Sequence, residues 1–266
     1  MPSQADLIAR VTRHAEEDAR VRALLLSGSF GKDEADDWSD VDLIAVVSPE
    51  DHKAFAAGAR DWLGAVADIV HWHSPHPPLP LFGAVTAGYD RLDLTVTVPG
   101  MVLGAQSTLK PLLDRDGVYA ALPASPPPGR VDPAKVEAIV REFLRVMGLL
   151  PLVAGRRQPA IAVGGVGHLR QAVLALLIEA QALPAPVGAL SVAKVLPAED
   201  MELLAALPTP ASDTEAVIEA QLEHARLFLP RARRIAADCG AAWPEAFEAA
   251  VRAHLKRTMG RDWGEA

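Results

Sequence analysis

Two apolar segments of the chain are joined by a short polar loop that begins with a glycine and ends with two aspartates. The first segment leads into Gly28-Ser29, and after ten intervening residues Asp40 and Asp42 open the second. Apolar and β-branched runs bounded by turn residues predict buried strands. Because side chains on a strand alternate between its faces, we expect Asp40 and Asp42 on one face, roughly 6–7 Å apart at Cα. Two carboxylates at that spacing repel each other unless a cation lies between them.

A third aspartate, Asp93, follows Asp42 after fifty intervening residues. Around it, apolar and polar residues alternate from position 91 to 98, which predicts a strand with one polar face. If this strand lies beside that of Asp42 with the polar faces matched, Asp93 joins the pair. Carboxylate oxygens are hard ligands that suit Mg²⁺. Three of them can hold two ions about 3.5–4 Å apart, which serves in-line displacement at phosphorus.

The residues around the glycine supply a place for phosphate. Gly28 lets a triphosphate approach the backbone closely, and the amides and hydroxyl of the Ser29-Phe30-Gly31 segment can cradle its oxygens. Lys32 is a further candidate for phosphate, although an exposed loop lysine is the more common case. The predicted site residues are Gly28, Ser29 and Lys32 for the nucleotide, and Asp40, Asp42 and Asp93 for metal and catalysis.

This spacing resembles that of the DNA polymerase beta superfamily of nucleotidyltransferases, whose signature is Gly-Ser, then Asp-x-Asp, with a third Asp on a later strand. In particular, it is similar to the bacterial aminoglycoside (streptomycin) adenylyltransferases and lincosamide nucleotidyltransferases. The resemblance extends from Val21 to about Val118, and residues 112–117 look like the strand and turn that close the domain. It implies ATP as co-substrate and two Mg²⁺ ions. The implied fold is an α/β (α+β mixed sheet) nucleotidyltransferase domain followed by an all-α helical bundle domain.

A proline-rich segment divides the chain, since proline at this density prevents regular structure. We expect a nucleotidyltransferase domain over residues 1–122, a linker over 123–133 and a helical acceptor-binding domain over 134–266. In the first domain we expect strands over 22–28, 41–47, 65–72, 81–86 and 92–98, with helices over 4–19 and 49–64. In the second domain we expect about five helices, over 133–150, 168–182, 191–207, 212–237 and 244–259.

Acidic residues are concentrated in the first part of the chain. Residues 1–125 hold 18 Asp and Glu against 10 Lys and Arg, and the remainder holds 16 of each. Six of the acids fall between Asp33 and Asp42, where they attract cations and repel nucleic acid backbones. We therefore expect a polycationic small molecule as the acceptor and no nucleic acid partner.

The composition favours a cytoplasmic protein with no membrane partner. Half of the residues are hydrophobic, but no apolar run approaches the roughly 20 residues of a membrane span, and the first residues show no secretory signal pattern. Cys239 is the single cysteine, which excludes an internal disulfide and a cysteine-based metal site. The oligomeric state is left open.

Two other motifs have a functional and a structural interpretation. His71 and His73 can share a strand face and bind zinc, with His76 nearby, but exposed histidines in a proline-rich stretch are the more common case. The glycine-rich segment 164–167 can bind an anion at a helix N-terminus. A flexible loop leading into the next helix is the favoured interpretation, because no strand precedes it.

The residue that deprotonates the acceptor hydroxyl is left open among three carboxylates. General base catalysis needs a group within hydrogen-bond reach of that hydroxyl, and Asp93, Glu142 and Glu179 are the candidates. The helix face with His168, Arg170 and Gln171 is a candidate wall of the acceptor pocket, if the layout is similar to that of the resembling family.

The sequence thus predicts a Mg²⁺-dependent adenylyltransferase that transfers AMP from ATP to a hydroxyl of a small molecule and releases pyrophosphate. An aminoglycoside or lincosamide antibiotic is the acceptor that the resemblance implies, with antibiotic resistance as the associated role. The alternatives are a protein adenylyltransferase of toxin–antitoxin type and an inactive nucleotide-binding homologue. The size of the helical domain favours a small acceptor, and the complete set of carboxylates argues against an inactive homologue.

Overall fold

The computed structural model describes residues 4–75, 79–185 and 187–264. The chain divides between Pro127 and Pro128 into two compact units, the first built on a sheet and the second helical. His76, the third histidine of the segment considered above, lies outside the described residues.

The first unit is a six-stranded mixed sheet with the strand order β3-β4-β5-β2-β1-β6. β2 and β5 pair in parallel, and the other neighbouring strands pair antiparallel. The elements are α1 (Gln4–Glu17), β1 (Val21–Leu26), α2 (Gly28–Gly31), β2 (Val41–Val47), α3 (Pro49–Gly64), β3 (Ile69–His73), β4 (Leu81–Thr86), β5 (Arg91–Thr97) and β6 (Lys110–Asp114).

The two faces of this sheet are covered differently. α1 and α3 bury one face, where Val11 and Phe55 pack on Leu24, Leu43 and Leu94. The other face carries a smaller apolar cluster formed by Ala23, Leu25, Ile44, Val46, Leu109 and Val118. Because this second cluster covers only the part of the sheet around β1 and the C-terminal end of β2, the N-terminal ends of β2 and β5 are free to carry polar side chains.

β3 begins four residues later than its sequence predicts. Residues 65–67 continue the end of α3 as a turn, in which the amides of Val66 and Ala67 both donate to the carbonyl of Leu63. α3 itself begins at Pro49, with the Ser48 hydroxyl accepting the Asp51 amide at 3.3 Å, as the capping pattern of its sequence predicts.

The second unit is helical throughout the part of it that the structure describes. Its elements are α4 (Pro133–Met147), α5 (Leu150–Arg156), α6 (Pro159–Ala180), a short 3₁₀ helix (Ala189–Lys194), α7 (Ala198–Ala206), α8 (Thr214–Cys239) and α9 (Glu245–Met259). The core of this unit is formed by residues that include Phe143 of α4, Leu169 of α6 and Phe228 of α8, with the two phenylalanine rings stacked 4.0 Å apart.

The glycine-rich segment 164–167 is not a loop, and that prediction is wrong. α6 begins at Pro159 and includes all three glycines of the segment. One of them, Gly165, lies close to α8, since a Cβ there would lie 3.2 Å from Nε2 of Gln221. By length and composition alone, α6 is also the one helix of the described residues that is apolar enough to cross a membrane. Its buried residues belong to the core of the second unit.

Candidate active site

The three predicted carboxylates lie at the N-terminal ends of two neighbouring strands. Asp40 directly precedes β2, Asp42 is its second residue, and the parallel register places Asp42 opposite Asp93 of β5. Residues paired across two strands point to the same face of the sheet. The sequence alternation therefore brings Asp42 and Asp93 together, with Asp40 close enough to influence the charge of both.

Gly28 faces Asp42 across the turn that follows β1. Its φ of +57° lies in the left-handed region, and a Cβ built on it would lie 1.9 Å from Oδ2 of Asp42. The Ser27 amide also donates to the carbonyl of Asp42 at 2.9 Å, which fixes the turn beside the strand. A side chain at position 28 therefore overlaps the Asp42 carboxylate unless that carboxylate or the turn shifts.

The Gly-Ser turn offers fewer free donors than its sequence predicts. The Gly31 amide is occupied, since it donates to the carbonyl of Ser27 at 2.9 Å. Gly31 serves packing instead, because a Cβ there would lie 2.5 Å from the carbonyl oxygen of Thr108. The Ser29 hydroxyl, in contrast, is buried and has no hydrogen-bond partner among the residues described. A buried hydroxyl without a partner is costly, so it is a candidate for contact with a bound group.

Burial and the charges of neighbouring acids raise the pKa of two of the carboxylates, those of Asp42 and Asp93. The pKa of Asp42 is raised to about 6, first by burial and then by the charges of Asp40 and Asp93. The pKa of Asp93 is raised by partial removal from water and by Asp40, and is lowered in part by His73 and Arg91. Like charges gathered on one face in this way are typical of a functional site that binds a cation.

Arg91 is a site residue that the motif search missed. It begins β5, and its charge lowers the pKa of both Asp42 and Asp93. Its guanidinium also donates to the carbonyl of Trp38 at 2.8 Å, which ties the acidic loop to the sheet. In the sequence, Arg91 can be recognised as a basic residue at the start of the polar face of a predicted strand, two positions before Asp93.

The acidic loop between α2 and β2 is held by one of its own acids. The Asp36 carboxylate accepts the amide of Trp38 at 3.0 Å and the hydroxyl of Ser39 at 2.9 Å. Glu34 and Asp37 are exposed, as is Lys32, the predicted phosphate contact. Asp36 therefore has a structural role, whereas Glu34 and Asp37 add charge to the surface near the carboxylates.

The donor set fits Mg²⁺ in its chemistry. Asp40, Asp42 and Asp93 offer hard oxygen ligands, and their mutual repulsion would be relieved by a cation. Within residues 4–75, 79–185 and 187–264, no group of three or more His, Cys, Asp or Glu side chains is placed so that it could hold a metal ion, so the fit of the three aspartates to Mg²⁺ is one of chemistry and not of a formed cluster. A Mg²⁺ ion with incomplete protein coordination is the usual case in phosphoryl-transfer sites, where water and substrate phosphates supply the remaining ligands.

Comparison with known proteins agrees with this geometry. The model of the streptomycin adenylyltransferase family matches residues 1–128, a range that includes the whole of the first unit. The solved structure of an aminoglycoside 6-adenyltransferase from Bacillus subtilis is also similar, with 12% sequence identity over 93% of this chain and 95% of that chain and a TM-score of 0.43. No curated protein sequence matches significantly.

The resemblance to nucleotidyltransferases is therefore confirmed over the first unit. The mixed sheet followed by a helical region, which that resemblance implied, is present as well. The roles of the individual site residues remain predictions.

Two of the three candidate general bases have other partners. Glu179 is buried, accepts the amide of Asp132 at 2.7 Å and pairs with Lys135 at 2.5 Å. Glu142 accepts two hydrogen bonds of 2.7 Å from Arg145, which lower its pKa. Both carboxylates are therefore engaged by partners within the second unit.

The proposed acceptor wall on α6 is only partly available. The Arg170 guanidinium donates to the carbonyls of Leu204 and Leu207 at 2.6 and 3.2 Å, so it holds the helices of the second unit together. His168 and Gln171 are exposed on the same helix.

Proposed function

We propose that the protein transfers AMP from ATP to a hydroxyl of a small molecule, with release of pyrophosphate. The observation that carries the proposal is the in-register pair Asp42 and Asp93 beside Gly28, where a Cβ would overlap the Asp42 carboxylate. The family match over residues 1–128 supports adenylyl transfer and an aminoglycoside as the first acceptor to test. A lincosamide is the second.

In this proposal Asp40, Asp42 and Asp93 would hold Mg²⁺. The metal supplies neutralisation of the triphosphate charge and a lowered pKa of the attacking hydroxyl. Gly28 lets the triphosphate approach the backbone, and the buried Ser29 hydroxyl donates to one of its oxygens, which would satisfy a group that has no partner among the described residues. The exposed Lys32 remains a proposed contact for the outer phosphates.

The reaction forms one bond and breaks one at the α-phosphorus. The acceptor oxygen bonds to that phosphorus while the bond to the bridging oxygen of the leaving pyrophosphate breaks. The hydroxyl proton passes to the carboxylate of Asp93. Asp93 is assigned this role because it lies opposite Asp42 in the sheet, whereas Glu142 and Glu179 are engaged by basic partners within the second unit.

The helical unit is proposed to contribute acceptor contacts. His168 and Gln171 are the exposed residues of α6 that we assign to this role, and Arg170 is excluded by its internal hydrogen bonds. We likewise propose that residues 1–122 form the nucleotidyltransferase domain, residues 123–133 the linker and residues 134–266 the acceptor-binding domain.

The direct test measures pyrophosphate release from each nucleoside triphosphate with Mg²⁺ and a panel of acceptors that includes streptomycin and a lincosamide. We expect release with ATP that depends on one acceptor class, and a product whose mass is that of the acceptor plus AMP. Pyrophosphate release that is indifferent to every acceptor, or AMP found on a protein, would contradict the proposal.

Neutralising the exposed acids of the loop should weaken capture of a cationic acceptor. For Glu34→Gln/Asp37→Asn we expect the KM for the acceptor to rise roughly threefold to fivefold at low salt, because two charges near the site attract it over a Debye length. The KM for ATP and the kcat should change less. Asp36 is left intact because it holds the loop.

The matched control for this prediction is Glu16→Gln/Glu17→Gln. These acids are also exposed. They lie at the end of α1, next to the start of β1, whereas Gly28 follows the other end of β1. The same change of charge there should leave the acceptor KM within twofold of the wild type. An acceptor KM that is independent of ionic strength would show that the loop acids are only solvated surface.

A further inference from the structure

Four residues form a line across the sheet on the face that carries the carboxylates. The parallel pairing aligns Asp42 with Asp93, β5 and β4 align Asp93 with Gly83, and β4 and β3 align Gly83 with His73. Because paired residues on neighbouring strands point to the same face, the row Asp42–Asp93–Gly83–His73 is a continuous strip. It ends at the strand on the edge of the sheet.

The glycine in this row makes room for the histidine. A Cβ at Gly83 would lie 2.2 Å from Cε1 of His73, and 2.8 and 2.9 Å from its two ring nitrogens. The imidazole therefore occupies the space that a side chain at position 83 would fill, and it buries that glycine. The φ of Gly83 lies outside the left-handed region, so the requirement for glycine comes from the ring.

Gly83 lies between His73 and Asp93 in the row. A ring of His73 that sits over Gly83 therefore leans toward Asp93. His73 itself is exposed, so a ligand can reach it. On its other side it contacts the ring of His71, with 5.1 Å between the two centroids.

Distance limits what His73 can do. Neighbouring strands lie about 4.8 Å apart, so the backbone of His73 is roughly 10 Å from that of Asp93. The imidazole therefore reaches a group beside the reacting hydroxyl rather than the hydroxyl at the carboxylates. A residue in this place selects and orients a substrate, and it needs no change of its own charge to do so.

The direction of the reaction decides which substrate that is. In an in-line displacement, the attacking and leaving groups lie on opposite sides of the phosphorus. The Gly28-Ser29 turn lies on the β1 side of Asp42, and His73 lies on the opposite side, across β5 and β4. With the pyrophosphate held at the turn, the acceptor approaches from the side of His73.

We infer that His73 is an acceptor-contacting residue, whose imidazole, seated over Gly83, hydrogen-bonds a hydroxyl or ammonium group next to the one that is adenylylated. The inference rests on the proposed function and adds the residue that sets acceptor specificity. Gly83 is a positioning residue, since it acts through the ring of His73.

The test compares His73→Ala, Gly83→Ala and the double variant. Loss of one hydrogen bond should raise the acceptor KM about tenfold, with the KM for ATP within twofold. Gly83→Ala should produce the same selective rise, because its Cβ displaces the ring. In the double variant, the alanine at 83 should cost nothing further, since the ring is already absent. Additive losses, or equal rises in both KM values, would overturn the inference.

His71→Ala is the matched control. It removes an exposed histidine from the same face of the same strand, but its partner across the strand is Val85. We expect its acceptor KM to stay within twofold of the wild type. A tenfold rise in this variant would mean that a general disturbance of the edge strand β3, and not the loss of the His73 ring, explains the effect.

Direct binding separates this inference from the proposed function. Calorimetric titration with streptomycin, without ATP, should give a Kd about tenfold weaker for His73→Ala than for the wild type. Equal affinities, or no streptomycin binding by the wild type, would contradict the role of His73. Streptomycin binding that depends on His73 without pyrophosphate release would contradict adenylyl transfer and leave His73 as a ligand contact.

Discussion

Asp42→Asn should abolish turnover and at the same time stabilise the metal-free fold. Activity should fall about 10³-fold or more, because metal-assisted neutralisation of the triphosphate is worth several kcal/mol and each 1.36 kcal/mol is tenfold in rate. The gain in stability has a different origin. Burial and the acidic neighbours raise the pKa of Asp42 to about 6, so the charged form of this side chain is unfavourable in the folded protein.

The sign of the pH dependence follows from that raised pKa. At pH 4, Asp42 is protonated in the folded chain and about half ionised in the unfolded chain, so the variant should gain only a small part of the full difference. As the pH rises toward 6 the unfolded chain loses this proton first, so the wild type loses stability on the order of 2–3 kcal/mol. Above pH 6 the full difference between Asp42→Asn and the wild type should remain.

Denaturant unfolding in chelator from pH 4 to 8 measures this difference. Mg²⁺ should stabilise the wild type more than Asp42→Asn, because it binds the folded carboxylates. Asp61→Asn, at an exposed aspartate of α3, is the control and should show neither effect. Wild-type activity in Asp42→Asn, or a stability difference that does not vary with pH, would remove Asp42 from the metal site.

Gly28→Ala should lose about 10²-fold in activity for a reason that is visible in the geometry. The new Cβ would lie 1.9 Å from Oδ2 of Asp42, so the carboxylate or the turn must shift, and displacements of about 1 Å in a reacting site cost roughly that factor. The left-handed φ adds about 1–2 kcal/mol of backbone strain. Both terms act on folding, but only the displaced carboxylate acts on catalysis.

Gly117→Ala separates the two terms. Gly117 has a similar φ of +69°, but a Cβ there would meet no atom within 4 Å. We therefore expect Gly117→Ala to show a comparable backbone cost in unfolding experiments, with activity near that of the wild type. If both variants lose activity equally, strain rather than the contact with Asp42 explains the effect at position 28.

The parts of the site that sequence alone predicts are those set by local periodicity. Alternation around Asp93 and the turn at Gly28 are properties of short segments, and the structure has both where expected. The use of the Gly31 amide by Ser27 depends on the exact closure of α2. Such a detail is invisible in a pattern of residue types.

Tertiary packing explains what the sequence misses. The row that joins Asp93, Gly83 and His73 depends on the register of three strands, and a shift of one residue would send each side chain to the opposite face. The helical segment 164–167 is similar, since glycine disfavours helix locally, whereas in the folded chain Gly165 lies close to Gln221 of α8. Pairing partners of this kind are not encoded in the composition of either segment.

The parallel pairing of β2 with β5 has a consequence for how the site comes into being. Gly28, Asp40 and Asp42 belong to one hairpin of neighbouring strands, a local structure that closes early in folding. Asp93 arrives only after α3, β3 and β4 have crossed back to the far side of β2. The last carboxylate, Asp93, is thus added by a long-range contact. A folding intermediate that contains only the hairpin of β1 and β2 would have the Gly28-Ser29 turn but would lack Asp93, and it would therefore be inactive. Recovery of enzymatic activity on refolding should therefore lag behind the burial of β1 and β2, which makes activity a reporter of the final step of sheet assembly.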